Sequence, residues 1–351
     1  MSRISSAKRS FVTRNVDLND AHSLSSQLPE EGDLVLARVD RIRQHGRLES
    51  PEGRRVHLYK GDELILVAGN RYATDQYHAT TPTTLGRCHL VAAGGIAADV
   101  VGKSAQVKPA TEITLVGTLI DQAGTKLNLK NYKKLQPSYI HPNTASIPVL
   151  VVLGSDMNSG KTSMACSIIK GFNHVGVKAA GAKLTGTGAG PDYWKMLDSG
   201  AYRVRDFVDN GYPSTVGLSA NSLIDLLRVI KSDATQNGAD LLIVEVADGV
   251  LQPDNQKLLS DPRFLKEVSG AVVAADSAAA AVYCCERLIQ QGIQVHGLGG
   301  LFTRSELAAE EVSLQLGLPV YRLDELQEKS TASYLMNLLS REQANGLRCA
   351  F

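Results

Sequence analysis

A glycine-rich loop carries the clearest chemistry in the sequence. Residues 154–162 read GSDMNSGKT and lie between an apolar run, VLVVL, and a segment of helical character. The backbone N–H groups of such a loop and the following helix N-terminus can surround phosphate oxygens. Lys161 is placed to reach β- and γ-phosphates, and the Thr162 hydroxyl to bind magnesium. The pattern predicts a phosphate-binding loop, or P-loop, with nucleotide contacts from Gly154, Asn158, Ser159, Gly160, Lys161, Thr162 and Ser163.

The spacing of this loop departs from the common one. Four residues usually separate the first glycine from Gly-Lys-Ser/Thr, whereas five separate Gly154 from Gly160. The alternative interpretation is an ordinary strand-turn-helix with an incidental GKT. The flanking apolar strand and helix favour the phosphate loop.

A second apolar run delivers carboxylates. LLIVEVADGV places Glu245 and Asp248 after a buried strand, as expected of a Walker-B-like strand that brings an acid to a magnesium shell. Asp156 inside the loop is a further candidate, so the predicted metal ligands are Thr162, Glu245 and Asp156. In the alternative, the two acids after the strand only cap the following turn.

Polar side chains concentrate between residues 183 and 215. In KLTGTG, Lys183 follows a short predicted strand and could neutralise a transferring phosphoryl group. A flexible glycine-rich surface loop with an exposed lysine is the alternative. Lys161, Glu245, Lys183 and Asp156 are the predicted catalytic residues. The predicted substrate contacts are Thr185, Thr187, Asp192, Arg205 and Asp209.

The loop GSDMNSGKT resembles the GTDxxxGKT loop of dethiobiotin synthetase and its relatives, a class that includes MinD-like and cobyrinate amidating proteins. That resemblance implies ATP-dependent activation of a carboxylate-type group with magnesium, through a phosphorylated intermediate. AGAKLTGTGAGPDYWKMLDSG and VEVADGVLQ are similar to segments of the DUF1611 proteins, in which a β-rich domain precedes such a P-loop domain. Some members of that family are linked to N-acylation of D-amino acids, and relatives in this class work as dimers.

Strands and helices alternate from residue 149 onward, which predicts an α/β P-loop NTPase domain whose mostly parallel sheet is covered by helices. Short strands separated by Gly, Pro and Asn precede it and predict a smaller β-rich domain, barrel- or sandwich-like. The expected division is a tail at 1–28, the β-rich domain at 29–135, a proline-containing linker at 136–148 and the P-loop domain at 149–351.

Composition limits the partners. The net charge of +1 among 351 residues argues against a whole-molecule nucleic-acid footprint. Five scattered cysteines predict reduced thiols and a cytoplasmic location, and no apolar run predicts a membrane span or a signal peptide. One local basic cluster keeps nucleic acid as a less favoured partner: Arg38, Arg41, Arg43, Arg47, Arg54, Arg55 and Lys60.

These observations favour a kinase or ligase that uses ATP and Mg²⁺ to activate a small carboxylate or amine metabolite. The resemblance also implies that the chain forms a homodimer. Three alternatives stay open at this point. They are an acyltransferase whose loop holds acyl-coenzyme A, a polynucleotide kinase or nucleic-acid-binding ATPase, and a regulatory switch that hydrolyses ATP slowly.

Overall fold

The computed structural model describes residues 3–135 and 146–348, with side chains as far as residue 340. The chain forms two compact units. Unit 1 comprises Met1–Gln136, Gly186–Pro191 and Phe207–Val216, and unit 2 comprises Pro137–Thr185, Asp192–Asp206 and Gly217–Phe351. This division differs from the expected one because two short segments of the C-terminal half cluster with unit 1. Most of the expected linker, 136–148, lies outside the described residues.

Unit 1 is built mainly of antiparallel strands. Its elements are α1 (Arg3–Ser6), β1 (Lys8–Arg9), β2 (Ser23–Ser25), β3 (Leu34–Arg41), β4 (Arg47–Glu49), β5 (Arg55–His57), β6 (Glu63–Ala68), β7 (Arg71–Tyr72), β8 (Tyr77–Thr80), β9 (Gly86–Ala92), β10 (Ile96–Lys103) and β11 (Thr111–Ile120). Strands β6, β3, β11, β9 and β10 pair in that order, and a parallel β10–β6 pairing closes the ring. The closed ring corresponds to the barrel alternative of the expected domain.

Alternation along the strands fills this ring. In β11, Ile113 and Leu115 are buried in one hydrophobic cluster, whereas Thr114 between them is only partly buried. A two-residue period of this kind places every second side chain on the same face of a strand. The core of unit 1 therefore follows from the sequence pattern of its strands.

The N-terminal segment, which was expected to be a tail at 1–28, packs against the strands of unit 1. Phe11 and Val12 are fully buried, and Val12 N–H donates to the Gly94 carbonyl at 3.0 Å. Strand β1 pairs with β6, and β2 pairs with β11. Strands of two or three residues leave no readable periodicity, so the sequence pattern did not reveal this segment's place in the sheet.

Unit 2 contains a parallel sheet. Its elements are β12 (Val149–Gly154), α2 (Lys161–His174), β13 (Ala179–Lys183), α3 (Gly190–Asp198, whose first two residues group with unit 1), β14 (Arg203–Asp206), α4 (Ala220–Gln236), β15 (Leu241–Glu245), α5 (Pro253–Leu259), α6 (Pro262–Glu267), β16 (Gly270–Ala275), α7 (Ala278–Gln290), β17 (Val295–Gly300), α8 (Glu306–Leu316) and α9 (Lys329–Arg348). The strand order is β14-β13-β15-β12-β16-β17, and every neighbouring pair is parallel.

The sheet brings the chemical residues to one edge. Every residue of β12 and β15 is buried, as parallel strands covered on both faces require. Met164 and Phe172 of α2 pack in one hydrophobic cluster with Val152 and Ile243 of the sheet. Because all strands run in the same direction, Gly154, Lys183 and Glu245 end at the same edge. No helix in the described part of the chain is long and apolar enough to cross a bilayer.

Candidate active site

The loop between β12 and α2 has the geometry of a phosphate-binding loop. Asn158 (φ 61°) and Gly160 (φ 105°) adopt left-handed backbone conformations, which turn the chain sharply before the helix begins at Lys161. Gly160 occupies the N-cap and no side chain caps the first turn. The N-terminal amides of a helix are orphan donors with positive partial charge, so this end can accept phosphate oxygens.

Lys161 is held against this loop. It is 6% exposed, and its Nζ donates to the Asp156 carbonyl at 2.6 Å. Burial lowers the pKa of the Lys161 ammonium, although Glu245 and Asp248 act in the opposite direction. The lysine is therefore a desolvated donor at the loop.

The Thr162 hydroxyl lies between two carboxylates. Thr162 Oγ1 is 2.9 Å from Asp192 Oδ1 and 3.0 Å from Glu245 Oε1. Both acids come from other elements, the helix α3 and the end of β15. This arrangement brings Asp192, which was predicted as a substrate contact, to the residue predicted to bind the metal.

Lys183 completes the cluster from β13. Lys183 lies opposite Glu245 in the register of β13 with β15, and its Nζ forms an ion pair with Asp192 Oδ2. Burial opposes the charge on Lys183, but the carboxylates of Asp192 and Glu245 outweigh it and raise the pKa of the ammonium. Burial likewise opposes ionisation of Asp192, but Lys183 outweighs it and lowers the pKa of that carboxyl. The pair is thus charged on both sides.

Glu245 is the most isolated acid of the cluster. It is 2% exposed, and burial, reinforced by the nearby Asp192, raises its pKa to about 7. Its Oε2 is buried and has no hydrogen-bond partner among the described residues. A buried carboxylate oxygen without a donor requires an explanation, and an unplaced cation or water is a common one.

Asp156 lies differently from the other predicted metal ligands. It is exposed, and its Oδ1 accepts from the Met157 N–H at 2.7 Å. In the part of the chain that the structure describes, no group of three His, Cys, Asp or Glu could hold a metal ion alone. The geometry brings Asp192 to Thr162 beside Glu245, and the metal role of Asp156 stays a prediction.

Hydrogen bonds fix the segment that follows Glu245. The buried Asn255 donates from Nδ2 to the carbonyls of Ala247 and Gly249, both at 3.0 Å. Thr185 also donates to the Ala247 carbonyl. Val250 N–H in turn donates to the Gly154 carbonyl at 3.0 Å. Thr185, predicted to touch substrate, is therefore engaged in holding the segment beside the phosphate loop.

The other predicted substrate residues have partners within their own unit. Arg205 forms an ion pair with Asp233 at 3.1 Å, together with the neighbouring Arg203. Asp209 belongs to unit 1, where it is buried and accepts from Arg14 at 3.0 Å. Thr187 also groups with unit 1 and pairs with Ser214 in an isolated bridge. Ion pairs with residues distant in sequence engage Arg205 and Asp209, and the local pattern could not anticipate them.

Two residues of the site escaped sequence reasoning in their observed roles. Asp192 was predicted as a substrate contact and not as a partner of Thr162; its place in the first turn of a helix is the signal that would have directed it toward the sheet edge. Asn255, near the start of α5, carries no local signal, because its partners are backbone carbonyls.

No protein-family model matches the sequence, and no curated protein matches it. Among solved structures, chloroplast FtsY from Physcomitrella patens is similar at 18% identity over 59% of this chain and 67% of its own, with a TM-score of 0.38. The signal recognition particle 54 kDa protein from Aeropyrum pernix, in complex with GDP, shares 16% identity over 63% and 53%, with a TM-score of 0.38. A DUF1611 family protein from Anabaena variabilis shares 12% identity over 59% and 63%, also with a TM-score of 0.38. The last bears the name of the family that the segments AGAKLTGTGAGPDYWKMLDSG and VEVADGVLQ resemble.

Proposed function

We propose that unit 2 binds ATP with Mg²⁺ and transfers the terminal phosphoryl group to a small carboxylate or amine metabolite, as a kinase or ligase does. One observation carries the proposal. The Thr162 hydroxyl, at the start of the phosphate-loop helix, is hydrogen-bonded to both Asp192 and Glu245, with Lys183 paired to Asp192. A metal-binding hydroxyl, two carboxylates and a second cation thus converge beside a phosphate loop.

The loop supplies the phosphate site. The uncapped first turn of α2 presents backbone N–H groups, and Lys161 adds a buried ammonium next to them. Donors fixed before the ligand arrives need little reorganisation, so they stabilise phosphate charge more than flexible surface lysines do. Gly160 leaves the backbone accessible at the turn.

The residues present fit a magnesium ion. Mg²⁺ is usually bound through one or two carboxylates, with substrate phosphates and waters completing its shell. Glu245 and Asp192 supply two carboxylates, and Thr162 adds a hydroxyl oxygen. The buried Oε2 of Glu245 has no hydrogen-bond donor among the described residues. When bound, the ion would neutralise charge on the phosphate oxygens.

Lys183 is assigned to the transferred group. Phosphoryl transfer is catalysed mainly by positioning and by neutralising charge on the moving group, and a cation beyond the phosphate-loop lysine serves that purpose. With a carboxylate acceptor, a carboxylate oxygen bonds to the γ-phosphorus while the bond to the β–γ bridging oxygen breaks. The products are an acyl phosphate and ADP, and no proton has to be removed from the acceptor.

Calorimetric titration tests the nucleotide site. The purified chain is titrated with ATP and Mg²⁺, with GTP and Mg²⁺, and with acetyl-coenzyme A. Lys161→Ala is compared with Lys170→Ala, an exposed lysine on the same helix. We expect ATP binding that Lys161→Ala weakens by roughly a hundredfold and that Lys170→Ala leaves within about twofold. Acetyl-coenzyme A binding without nucleotide binding would favour the acyltransferase, and binding of none of the three would refute the phosphate-loop assignment.

Turnover separates a transferase from a slow hydrolase. ADP formation is measured with pools of small carboxylates and amines, and then with single compounds from any active pool. We expect acceptor-dependent ADP release, reduced roughly 10²–10³-fold by Lys183→Met, the range found when a fixed electrostatic donor is removed. Acceptor-independent hydrolysis, equal in Lys183→Met and the parent, would contradict the phosphoryl-transfer proposal.

A further inference from the structure

Unit 1 contains a cavity of about 470 Å³ beside the hairpin formed by β4 and β5. Its lining includes Arg47, Glu49, Arg55, His57 and His45, and none of the residues of the phosphate loop. Small-molecule sites usually have volumes of roughly 300–1,000 Å³ with a few convergent polar groups. The cavity is therefore of ligand size and rich in hydrogen-bonding side chains.

The hairpin directs its polar side chains to one face. Arg47 lies opposite His57, and Glu49 lies opposite Arg55, so these four residues share a face of the antiparallel pair. Leu48, which lies between them in sequence, is fully buried in the hydrophobic core of the ring. Packing on one face fixes the orientation of the polar groups on the other.

The rest of the cavity wall is also fixed. Glu49 N–H donates to the Ala93 carbonyl at 2.9 Å, and His45 Nε2 is 3.0 Å from the Val91 carbonyl. The Thr111 hydroxyl donates to the His45 carbonyl at 2.8 Å. Hydrogen bonds therefore tie both the hairpin and the segment before it to the strands of the ring.

The two arginines of the cavity differ from other arginines of the basic cluster. Arg38 lies 3.4 Å from Asp40, and Arg43 lies 2.9 Å from Glu112. Arg47 and Arg55 are both exposed, and across residues 3–135 and 146–340 neither has a carboxylate partner within ion-pair distance.

The carboxylate in the lining is engaged elsewhere. Glu49 is 5% exposed, and its Oε2 accepts from the Gly190 N–H, which also belongs to unit 1, at 2.7 Å. The acid is thus directed at a backbone donor, and two guanidinium groups in the cavity remain without a counter-ion.

We propose that this cavity binds a phosphate-bearing small molecule, with Arg47 and Arg55 holding the phosphate oxygens and the His57 ring adding a donor. The planar guanidinium group matches phosphate in a two-bond geometry, which favours phosphate over an uncharged ligand. Single-stranded nucleic acid fits less well, because such sites combine charge with aromatic stacking and the cavity has no Phe, Tyr or Trp in its lining. The Tyr59 ring nearby in sequence already faces the Lys8 ammonium at 5.3 Å.

Phosphorus NMR on the full chain tests this site. Line broadening of inorganic pyrophosphate is measured without magnesium and with a chelator, in a Lys161→Ala background that weakens the phosphate loop. Arg47→Gln/Arg55→Gln is compared with Arg54→Gln, a neighbouring exposed arginine that does not line the cavity. We expect broadening in the background chain, at least about tenfold weaker binding in the double variant, and less than about twofold change in Arg54→Gln.

Three results would overturn the proposal. They are absence of broadening in the background chain, equal binding by the double variant, and equal loss in Arg54→Gln. A labelled oligothymidylate provides the last arm. If it binds more tightly than pyrophosphate and the double variant abolishes that binding, the phosphate belongs to nucleic acid and the small-molecule proposal fails. Matched urea midpoints confirm that each variant is folded, so loss of binding reports on the cavity.

Discussion

The ion pair between Lys183 and Asp192 provides the sharpest stability test. The two side chains are 11% and 22% exposed, and Asp192 also accepts from Thr162. Removing one partner of a buried ion pair costs roughly 3–5 kcal/mol, because the other charge is left desolvated. Partial exposure and the remaining charge of Glu245 reduce this penalty. We therefore expect Asp192→Asn to lower the free energy of unfolding of unit 2 by about 2–3 kcal/mol.

Urea unfolding followed by tryptophan fluorescence measures the effect. Trp194 is the only tryptophan in the sequence and lies in the same helix as Asp192, so the signal reports on the right part of the chain. Asp225→Asn is the matched control. Its ion pair with Arg228 on α4 is exposed, with side-chain values of 72% and 47%, and we expect a loss of about 1 kcal/mol or less.

A double-mutant cycle identifies the cause. Lys183→Met removes the cation and leaves Asp192 and Glu245 close together without it. The double variant Lys183→Met/Asp192→Asn should then lose less than the sum of the single variants, with a coupling of roughly 1–3 kcal/mol. Additive losses, or a loss in Asp192→Asn no larger than that in Asp225→Asn, would refute the reasoning that the pair is held as a buried, mutually dependent unit.

Three further predictions concern positions outside this pair. Burial, reinforced by Arg71, lowers the pKa of His45 to about 4. Between about pH 4 and about pH 6.5 the unfolded chain therefore binds more protons than the folded chain, so the free energy of unfolding falls as the pH falls. Urea unfolding at about pH 7.5 and pH 5 should show a loss of about 2 kcal/mol, and His45→Gln should remove this loss. At Gly300 (φ 106°) a Cβ would lie 2.6 Å from backbone atoms, so Gly300→Ala should lower the free energy of unfolding by at least roughly 1–3 kcal/mol in a urea titration. The control is Gly217→Ala, where a Cβ would meet open space and the loss should be about 1 kcal/mol. Asn255→Ala should cost roughly 1–3 kcal/mol, and Asn255→Asp more, because a carboxylate oxygen would replace the donor facing backbone carbonyls; comparison of their urea midpoints checks the order.

Local sequence was sufficient for the parts of unit 2 that are continuous in the chain. In residues 149–174 an apolar run, a glycine-rich turn and a segment of helical character follow one another. This order predicted the strand, the loop and α2. The run that ends at Glu245 was identified for the same reason, because a fully buried parallel strand is apolar throughout. The predicted α/β class with a parallel sheet is confirmed by the fold.

Features set by distant contacts could not be predicted. Asp192 reaches Thr162 only because α3 begins beside the edge where β13 and β15 end. Arg205 and Asp209 have the composition of substrate contacts, yet partners far away in sequence engage them. Charge-rich segments have many ways to form ion pairs, and the choice among them depends on the tertiary structure.

The segments flanking the phosphate loop explain why substitutions outside the GKT motif should affect phosphate binding. The Gly154 carbonyl accepts from Val250 N–H at 3.0 Å, Ser155 N–H donates to the Ala274 carbonyl at 3.0 Å, and Leu301 N–H donates to the Ser159 carbonyl at 3.3 Å. Backbone groups that belong to β16, or that follow β15 and β17, thus hold the loop from its start to its turn. A loop already held in this way loses less conformational entropy when it surrounds phosphate, since fixing each free residue would cost roughly 1–2 kcal/mol. The affinity of the site therefore depends on the whole edge of the sheet, and not on the motif alone.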